Sequence, residues 1–478
     1  VFDRARQELL VARDRLGIKP LYFAADAEGI RFASETKVLR DERTSISAEG
    51  VAAYLQWGCS PENWLLFSGI ESFPAGHAMS IDGNGRRELQ RYWPLQKRIA
   101  SSPESAPQKI RALLERAVEE HLLSDVPVAS FLSGGIDSSI ITALAAQKLE
   151  RKLQTFSVGF ATADFDESAI AGEVAGRFGT NHERLELNEE EVIELVTEAV
   201  AHLDLPSVDA INTYIVARAV AQRGLKVALS GLGGDELFGG YPSFRDVPRL
   251  QWLTYLPRVL RKVIGGERLA ELPNDKNAIA LAQWRRRFFT DEMLRQAGLP
   301  NEPTPLSSPV ELPDDFARIS WAELTGYMRR MLLRDSDQMS MAVSLELRVP
   351  FLDHELVEYS LGLPAAEKRR YPGSKGLLVE ACRDLLPPAV YERPKRGFAL
   401  PMENWMKGPL AAFVEEGLRA TVAAGFLPDR FVANLRTAFQ SRRLHWTRLW
   451  SIVVLGHFVR RNSAAHRPHE NPALHSLA

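Results

Sequence analysis

The segment Ser133-Gly134-Gly135-Ile136-Asp137-Ser138-Ser139 combines small residues, hydroxyls and one acid in a spacing that can hold a phosphate. Adjacent glycines permit positive φ and let backbone N–H groups approach an anion, while Ser133, Ser138 and Ser139 add hydroxyl donors. The apolar run Val126 to Leu132 before it reads as a strand, and Ile140, Ile141, Leu144, Ala145 and Leu149 after it repeat with helical spacing. A loop so placed opens onto a helix N-terminus, whose dipole favours a pyrophosphate. A Ser/Gly turn without ligand accounts for the glycines but not for Asp137. An acid inside an anion cradle repels phosphate unless a divalent cation lies between them, the usual arrangement for Mg²⁺. The expected chemistry is ATP cleavage with Mg²⁺.

The same theme returns in Ser230-Gly231-Leu232-Gly233-Gly234-Asp235-Glu236-Leu237-Phe238-Gly239-Gly240-Tyr241, after the strand-like run Leu225 to Leu229. Strand ends of a parallel sheet face one crevice, so Asp235 is placed to share a metal ion with Asp137. Helix capping by Asp235 and Glu236 is the bland alternative. A third stretch, Arg334 to Asp353, predicts a helix and then a turn that Pro350 ends. There Glu346 and Arg348 suit either a structural ion pair or substrate contact, and Met339 and Met341 suit core filling. Further on, Glu392-Arg393-Pro394-Lys395-Arg396-Gly397-Phe398 is either a solvated basic turn or a cationic loop that neutralises leaving pyrophosphate. His182 and His202 have no ligand-like neighbours and read as structural.

These segments need a scaffold. Apolar runs at Val126 to Leu132, Leu153 to Phe160, Arg184 to Leu187 and Leu225 to Leu229 alternate with helical patterns at Asp137 to Leu149, Glu167 to Phe178, Glu189 to His202 and Thr213 to Gln222. Such alternation predicts a parallel sheet flanked by helices, with ligands at the carboxyl ends of its strands. Before it, short turn-rich strands at Leu9 to Ala12, Leu21 to Phe23, Ile30 to Ala33 and Met79 to Ile81 predict a mainly antiparallel sheet. The stretch 97–107 reads as a linker, 245–313 as a helical insertion and 462–478 as a disordered tail.

With 478 residues, 45% hydrophobic and 25% charged, the chain has the composition of a globular protein of two or more domains. A net charge of −2 supplies no overall basic field for nucleic acid or an anionic membrane, which favours small-molecule substrates. Cys59 and Cys382 stand far apart, implying neither a disulfide framework nor a cysteine metal site, in keeping with a reducing cytoplasm. No stretch reads as a transmembrane or targeting segment. A homodimer stays open.

Taken together, the segments resemble the asparagine synthetase family: Ser133 to Ser139 is similar to its SGGxDSS loop, Ser230 to Tyr241 to its SGxGxDExFGGY segment, and Leu345 to Asp353 to its xExRVPFLD turn. Arg13 to Tyr22, Phe32 to Lys37 and Phe73 to Gly76 resemble the second half of the family's class II glutaminase domain. The resemblance implies a parallel-sheet α/β pyrophosphate-loop ATPase domain at 107–461, preceded at 1–96 by part of an α+β N-terminal-nucleophile glutaminase domain. Neither Cys59 nor Cys382 matches the family's N-terminal nucleophile, so glutamine hydrolysis is not expected of the chain as given. It implies further that a carboxylate, expected to be aspartate's, attacks the α-phosphorus of ATP, and that ammonia then displaces AMP from the acyl-adenylate. ATP contacts fall to Leu132, Ser133, Gly134, Gly135, Asp137, Ser138 and Ser139 on the first loop, to Ser230 and Gly231 on the second, and to the backbone of Val158. Asp137 and Asp235 would hold Mg²⁺, and Lys395 matches a lysine that stabilises the crowded phosphorus.

One position departs from the pattern. The family's synthetases commonly carry glutamate, and related β-lactam-forming enzymes tyrosine, where this chain has Leu232. Leucine cannot move a proton, so a base must come from elsewhere, with Glu346 as candidate, or the acceptor differs. Three functions are therefore weighed: asparagine formation, an amide- or ring-forming ligase of secondary metabolism or surface-polysaccharide modification, and a nucleotide-binding regulator without turnover. A tRNA-modifying enzyme is disfavoured by the missing basic stripe.

Overall fold

The computed structural model describes residues 1–27, 29–94, 105–159, 168–186, 189–300, 311–392 and 400–464. Seven short strands come first: β1 (Phe2–Asp3), β2 (Glu8–Ala12), β3 (Tyr22–Asp26), β4 (Gly29–Ala33), β5 (Glu71–Ser72), β6 (His77–Ile81) and β7 (Arg87–Arg91). They pair antiparallel in two sheets, β1-β2-β6-β7 and β4-β3-β5. Phe23, Phe73, Met79 and Ile81 form the small core they enclose. Helix α1 (Ala48–Trp57), which turn-rich punctuation does not announce, starts on the Ser47 side chain accepting from Gly50 N and stops at Gly58 with φ +73°. Its Tyr54 hydroxyl donates to the Ser451 carbonyl at 2.9 Å, tying this part to the long helix Trp446–Ala464.

The second part opens with α2 (Ala106–Leu122) and builds one sheet from β8 (Val128–Phe131), β9 (Gln154–Gly159), β10 (Asn181–Glu186), β11 (Val227–Leu229) and β12 (Glu346–Arg348). All neighbours are parallel, in the order β10-β9-β8-β11-β12. Helices α3 (Ile136–Lys148), α4 (Ser168–Phe178), α5 (Glu189–His202) and α6 (Ile211–Gln222) make the crossovers. Each expected strand and helix is present within a few residues of its expected ends. The middle strands read as apolar runs because both faces are covered, with Ala129, Ala228 and Leu229 fully buried. Chain order reverses at β8, whose crossover to β9 leaves one way while β11 lies on the other side. A crevice therefore opens beyond the carboxyl ends of β8 and β11, the position where such sheets bind ligands.

Strand β12 corrects the helix-then-turn expectation for Arg334 to Asp353. The helix is there, Arg334–Met341, but the residues after it join the sheet edge, with Glu346 N donating to the Lys226 carbonyl at 2.8 Å. Three residues are too few to show strand periodicity, and their partner lies more than 100 positions away. Met339 is buried as expected, whereas Met341 is exposed, because the helix ends there and turns its last side chain to solvent.

The expected insertion is helical: Ser243–Leu253, Arg258–Ala270, Ala278–Arg286 and Asp291–Gln296. Most of the expected linker 97–107 and nearly all of the tail 462–478 lie outside the described residues. No described helix is long and apolar enough to cross a membrane.

Candidate active site

The loop Leu132 to Gly135 leaves β8 with the Leu132 amide donating to the Phe156 carbonyl at 2.8 Å, so the neighbouring strand fixes its direction. Gly134 sits at φ +78° and Gly135 caps α3. Within the loop the serines hold one another: Ser133 and Ser138 hydroxyls are 3.0 Å apart, and the Ser133 and Gly135 amides donate to those hydroxyls at 3.2 and 3.3 Å. Ser139 is fully buried in the first turn of α3.

The second loop packs directly onto the first. A Cβ on Gly231 would lie 2.7 Å from Ser138 N, and one on Gly234 would collide with Asp137 Oδ1. Gly233 adopts φ +109°, in the region open to glycine, and starts the short helix Gly234–Phe238 that carries Asp235. Side chains at these positions would hold the two acids apart; hydrogen lets them converge.

They converge on Lys375. Its ammonium contacts Asp137 Oδ2 and lies 2.6 Å from Asp235 Oδ1, on a side chain that is itself buried. Burial alone would push the ammonium down, but the charges of Asp137 and then Asp235 outweigh it and the net direction is up. The lysine stands at φ +56° ahead of the helix Gly376–Ala381, whose first residue has no room for a Cβ against the Tyr371 carbonyl. No motif marked Lys375. Its signal is a cation between Gly373 and Gly376 at a helix N-terminus, where the dipole disfavours positive charge.

Beyond these loops lies a cavity of about 360 Å³. Leu132, Ser133, Gly135, Asp137, Ser138, Val158, Ser230 and Gly231 line it, with Leu232, Asp235 and Glu236. Gly134 and Ser139, also expected there, are not among its lining residues, and Ser139 is fully buried in α3. Glu236 is fully buried and accepts from the Tyr241 hydroxyl at 2.8 Å; burial, then the Asp235 charge, push it up to about 8. Glu346 is not among the residues brought together. It opens β12 at the amino end of the parallel sheet and pairs with Arg348 at 3.0 Å. Lys395 lies outside the described residues.

A second cavity, of about 490 Å³, shares Asp209 and Tyr327 with the first. Arg268, Arg285, Arg286, Arg287, Arg330 and Arg448 line it, against the acids Asp209 and Glu323. Arg286 bridges Glu323 at 2.8 Å and lies 3.9 Å over the Tyr327 ring; Arg285 and Arg287 pair with Asp246 and Asp291. Arg330 is different: it is buried, its Nε has no hydrogen-bond partner among the described residues, and its guanidinium lies 5.9 Å from the Trp57 ring centroid with the Glu62 charge nearby. Burial pushes its pKa down. Burial and the nearby Asp335 raise Asp209 to about 6.

Elsewhere, both thiols are buried, which pushes Cys59 up to about 11 and Cys382 to about 12. His182 is structural as expected, hydrogen-bonded to Thr155 at 3.0 Å and Ser157 at 3.1 Å between β10 and β9.

A mixed α/β chain whose parallel sheet sets two glycine-cradled acids over its switch point belongs, by its family match and its relatives, to the ATP-dependent amidotransferase and ligase class. The chain belongs to the asparagine synthase family: residues 109–460 match the family described as asparagine synthase, and residues 1–93 match a glutamine amidotransferase domain. An asparagine synthetase-type protein of Mycobacterium tuberculosis is 33% identical over 95% of this chain and 74% of its own. The glutamine-hydrolysing asparagine synthetase 1 of Bacillus subtilis is 29% identical over 95% and 75%. A Penicillium rubens protein named amidase chyE is 27% identical over 86% and 70%. The chain is thus an asparagine synthetase-like ligase.

Proposed function

We propose that this chain makes an amide by activating a carboxylate with ATP, releasing AMP and pyrophosphate, and that aspartate is the acceptor, giving asparagine. The observation that carries the reading is the meeting of Asp137 and Asp235 on one ammonium at the switch point. A pocket that gathers two carboxylates around a cation suits the metal-bound end of a triphosphate. Mg²⁺ fits there, held by Asp137, Asp235 and phosphate oxygens, where it would neutralise charge on the departing pyrophosphate. The Ser133 to Ser139 loop, read as a pyrophosphate loop, offers amides and hydroxyls to the same oxygens. Lys375, and Lys395 by its match to the family, add positive charge as the α-phosphorus becomes crowded. The carboxylate oxygen of the acceptor forms a bond to that phosphorus as the bond to pyrophosphate breaks. Ammonia, which the family draws from glutamine, then attacks the acyl carbon and AMP leaves.

A second reading changes only the acceptor, to a larger anionic carboxylate. Leu232 on the cavity wall motivates it, together with the arginine-lined chamber and the Arg330 Nε, which has no hydrogen-bond partner among the described residues. A buried charged donor left without a hydrogen bond is costly, and an anionic substrate group beside it would offset that cost. The relative named an amidase shows that proteins this similar do not all carry the synthetase name.

The chain incubated with ATP, Mg²⁺, aspartate and ammonium should form AMP, pyrophosphate and asparagine in equal amounts. Pyrophosphate release only with a larger carboxylate moves the assignment to the second reading. No turnover with any carboxylate makes the chain a nucleotide-binding regulator and ends both.

A further inference from the structure

The segment between β11 and β12 holds a surface built inside out. Trp252, Tyr255, Val259, Leu260, Val263 and Ile264 are between 49 and 80% exposed, while Arg261 in their midst is 2% exposed. The Arg261 guanidinium is turned inward, donating to the Leu272 carbonyl and to Asn274 Oδ1, each at 2.5 Å. At helical spacing Val259 and Val263 share a face with Leu260 and Ile264, and Gly265 and Gly266, both off helical φ/ψ, end that face. An exposed apolar helix face of this kind marks an interaction surface.

Charge identifies the partner. From Val247 to Gly266 there is no Asp or Glu; Arg249 and Arg258 are exposed cations, Arg261 is turned inward and Lys262 pairs with Glu267 just beyond the segment. The chain-wide charge of −2, which argues against an anionic surface, averages this segment away. Trp252 and Tyr255, in the segment leading into that helix, have rings 6.2 Å apart, and the Lys276 ammonium sits 3.7 Å from the Tyr255 centroid. An aliphatic face, Trp and Tyr in the segment leading into it and exposed Arg are the chemistry of a bilayer interface. A second copy of the chain fits poorly, since a two-fold contact would set the same cations against each other.

We infer that this face docks the protein peripherally on an anionic phospholipid bilayer. Val259, Leu260, Val263 and Ile264 enter the acyl boundary, Trp252 and Tyr255 lie at headgroup depth, and Arg249 and Arg258 meet the phosphates. The protein lies on the membrane and does not cross it through this segment. The inference does not depend on the acceptor or on turnover.

The test is co-sedimentation of the full chain with vesicles of mixed phosphatidylglycerol and phosphatidylcholine, and with phosphatidylcholine alone. The expected result is binding to the anionic vesicles that falls at least about tenfold at high salt, on phosphatidylcholine, and in the double variant Val263→Glu, Ile264→Glu. Both side chains are exposed, so the variant should melt with the parent; an exposed-face control, Arg249→Gln with Arg258→Gln, should weaken anionic binding without touching the apolar residues. Failure of the parent to bind anionic vesicles, or equal binding by the double Glu variant, overturns the inference. So does a parent dimer, seen by light scattering, that the double Glu variant converts to monomer while vesicles are ignored.

Discussion

Replacing Lys375 by methionine keeps most of a buried stem and deletes one charge. In the parent that charge serves two carboxylates at once, contacting Asp137 and standing 2.6 Å from Asp235. Breaking a buried ion pair from one side costs about 3–5 kcal/mol, because the other side is left uncompensated. The Asp137 and Asp235 side chains keep 16 and 21% of their surface, so water recovers part of the loss and the lower figure, about 3 kcal/mol, applies. A cooperative unit of about 350 residues has an unfolding entropy of roughly 0.7 kcal/mol/K, so Tm should fall by about 4 °C. Lys375 is raised in the fold, so its contribution is fully present below the ordinary lysine value of 10.5 and is lost only as pH rises through the higher folded value. The gap between parent and variant should therefore be constant between about pH 6 and 9. Millimolar Mg²⁺ should close part of it, because the vacated position lies between two carboxylates that suit that ion. Adding Asp137→Asn should leave the double variant more stable than the two single losses predict, by about 0.5–3 kcal/mol. Calorimetric melts with and without Mg²⁺ decide the matter. An unchanged Tm, or equal stabilisation of parent and variant by Mg²⁺, refutes the argument that the two acids form one cation site.

Four further outcomes are expected. Gly231→Ala drives a methyl to 2.7 Å from Ser138 N and pushes the loops apart, so pyrophosphate release should drop at least about tenfold with a stability loss of about 1–3 kcal/mol by denaturant titration. Lys395→Ala should retain ATP binding and lose about a hundredfold in turnover, read by single-turnover pyrophosphate release. Asp209, raised to about 6, contributes stability that is fully present below 3.8 and lost as pH rises through about 6. Asp209→Asn should therefore remove a loss on the order of 2 kcal/mol between pH 4 and 7 in urea titrations. Arg330→Met deletes a buried charge whose Nε lacks a hydrogen bond among the described residues, so the variant should melt at or above the parent, while KM for the acceptor rises at least about tenfold and KM for ATP holds.

Much of the site was legible because its parts are local. Glycines at Gly231, Gly233 and Gly234 announce a loop with no room for side chains, and the acids among them announce a cation. Glu346 shows the limit. It sits in a motif-rich stretch, yet a parallel edge strand sets its first residue at the amino end of the sheet, away from the loops that share the other end.

The amino-acid sequence by itself determined the alternation of strands and helices, the two cradles and their acids, because hydrophobic period and glycine placement act within a few residues. Only the tertiary structure decided that Lys375, more than 100 positions from either loop, is the cation they share, that Arg330 is buried on the wall of a second chamber, and that Arg261 is buried while Val263 faces out. Those outcomes depend on which distant surfaces pack together, and the energy of a buried charge or an exposed valine is set by neighbours that the chain's own order does not name.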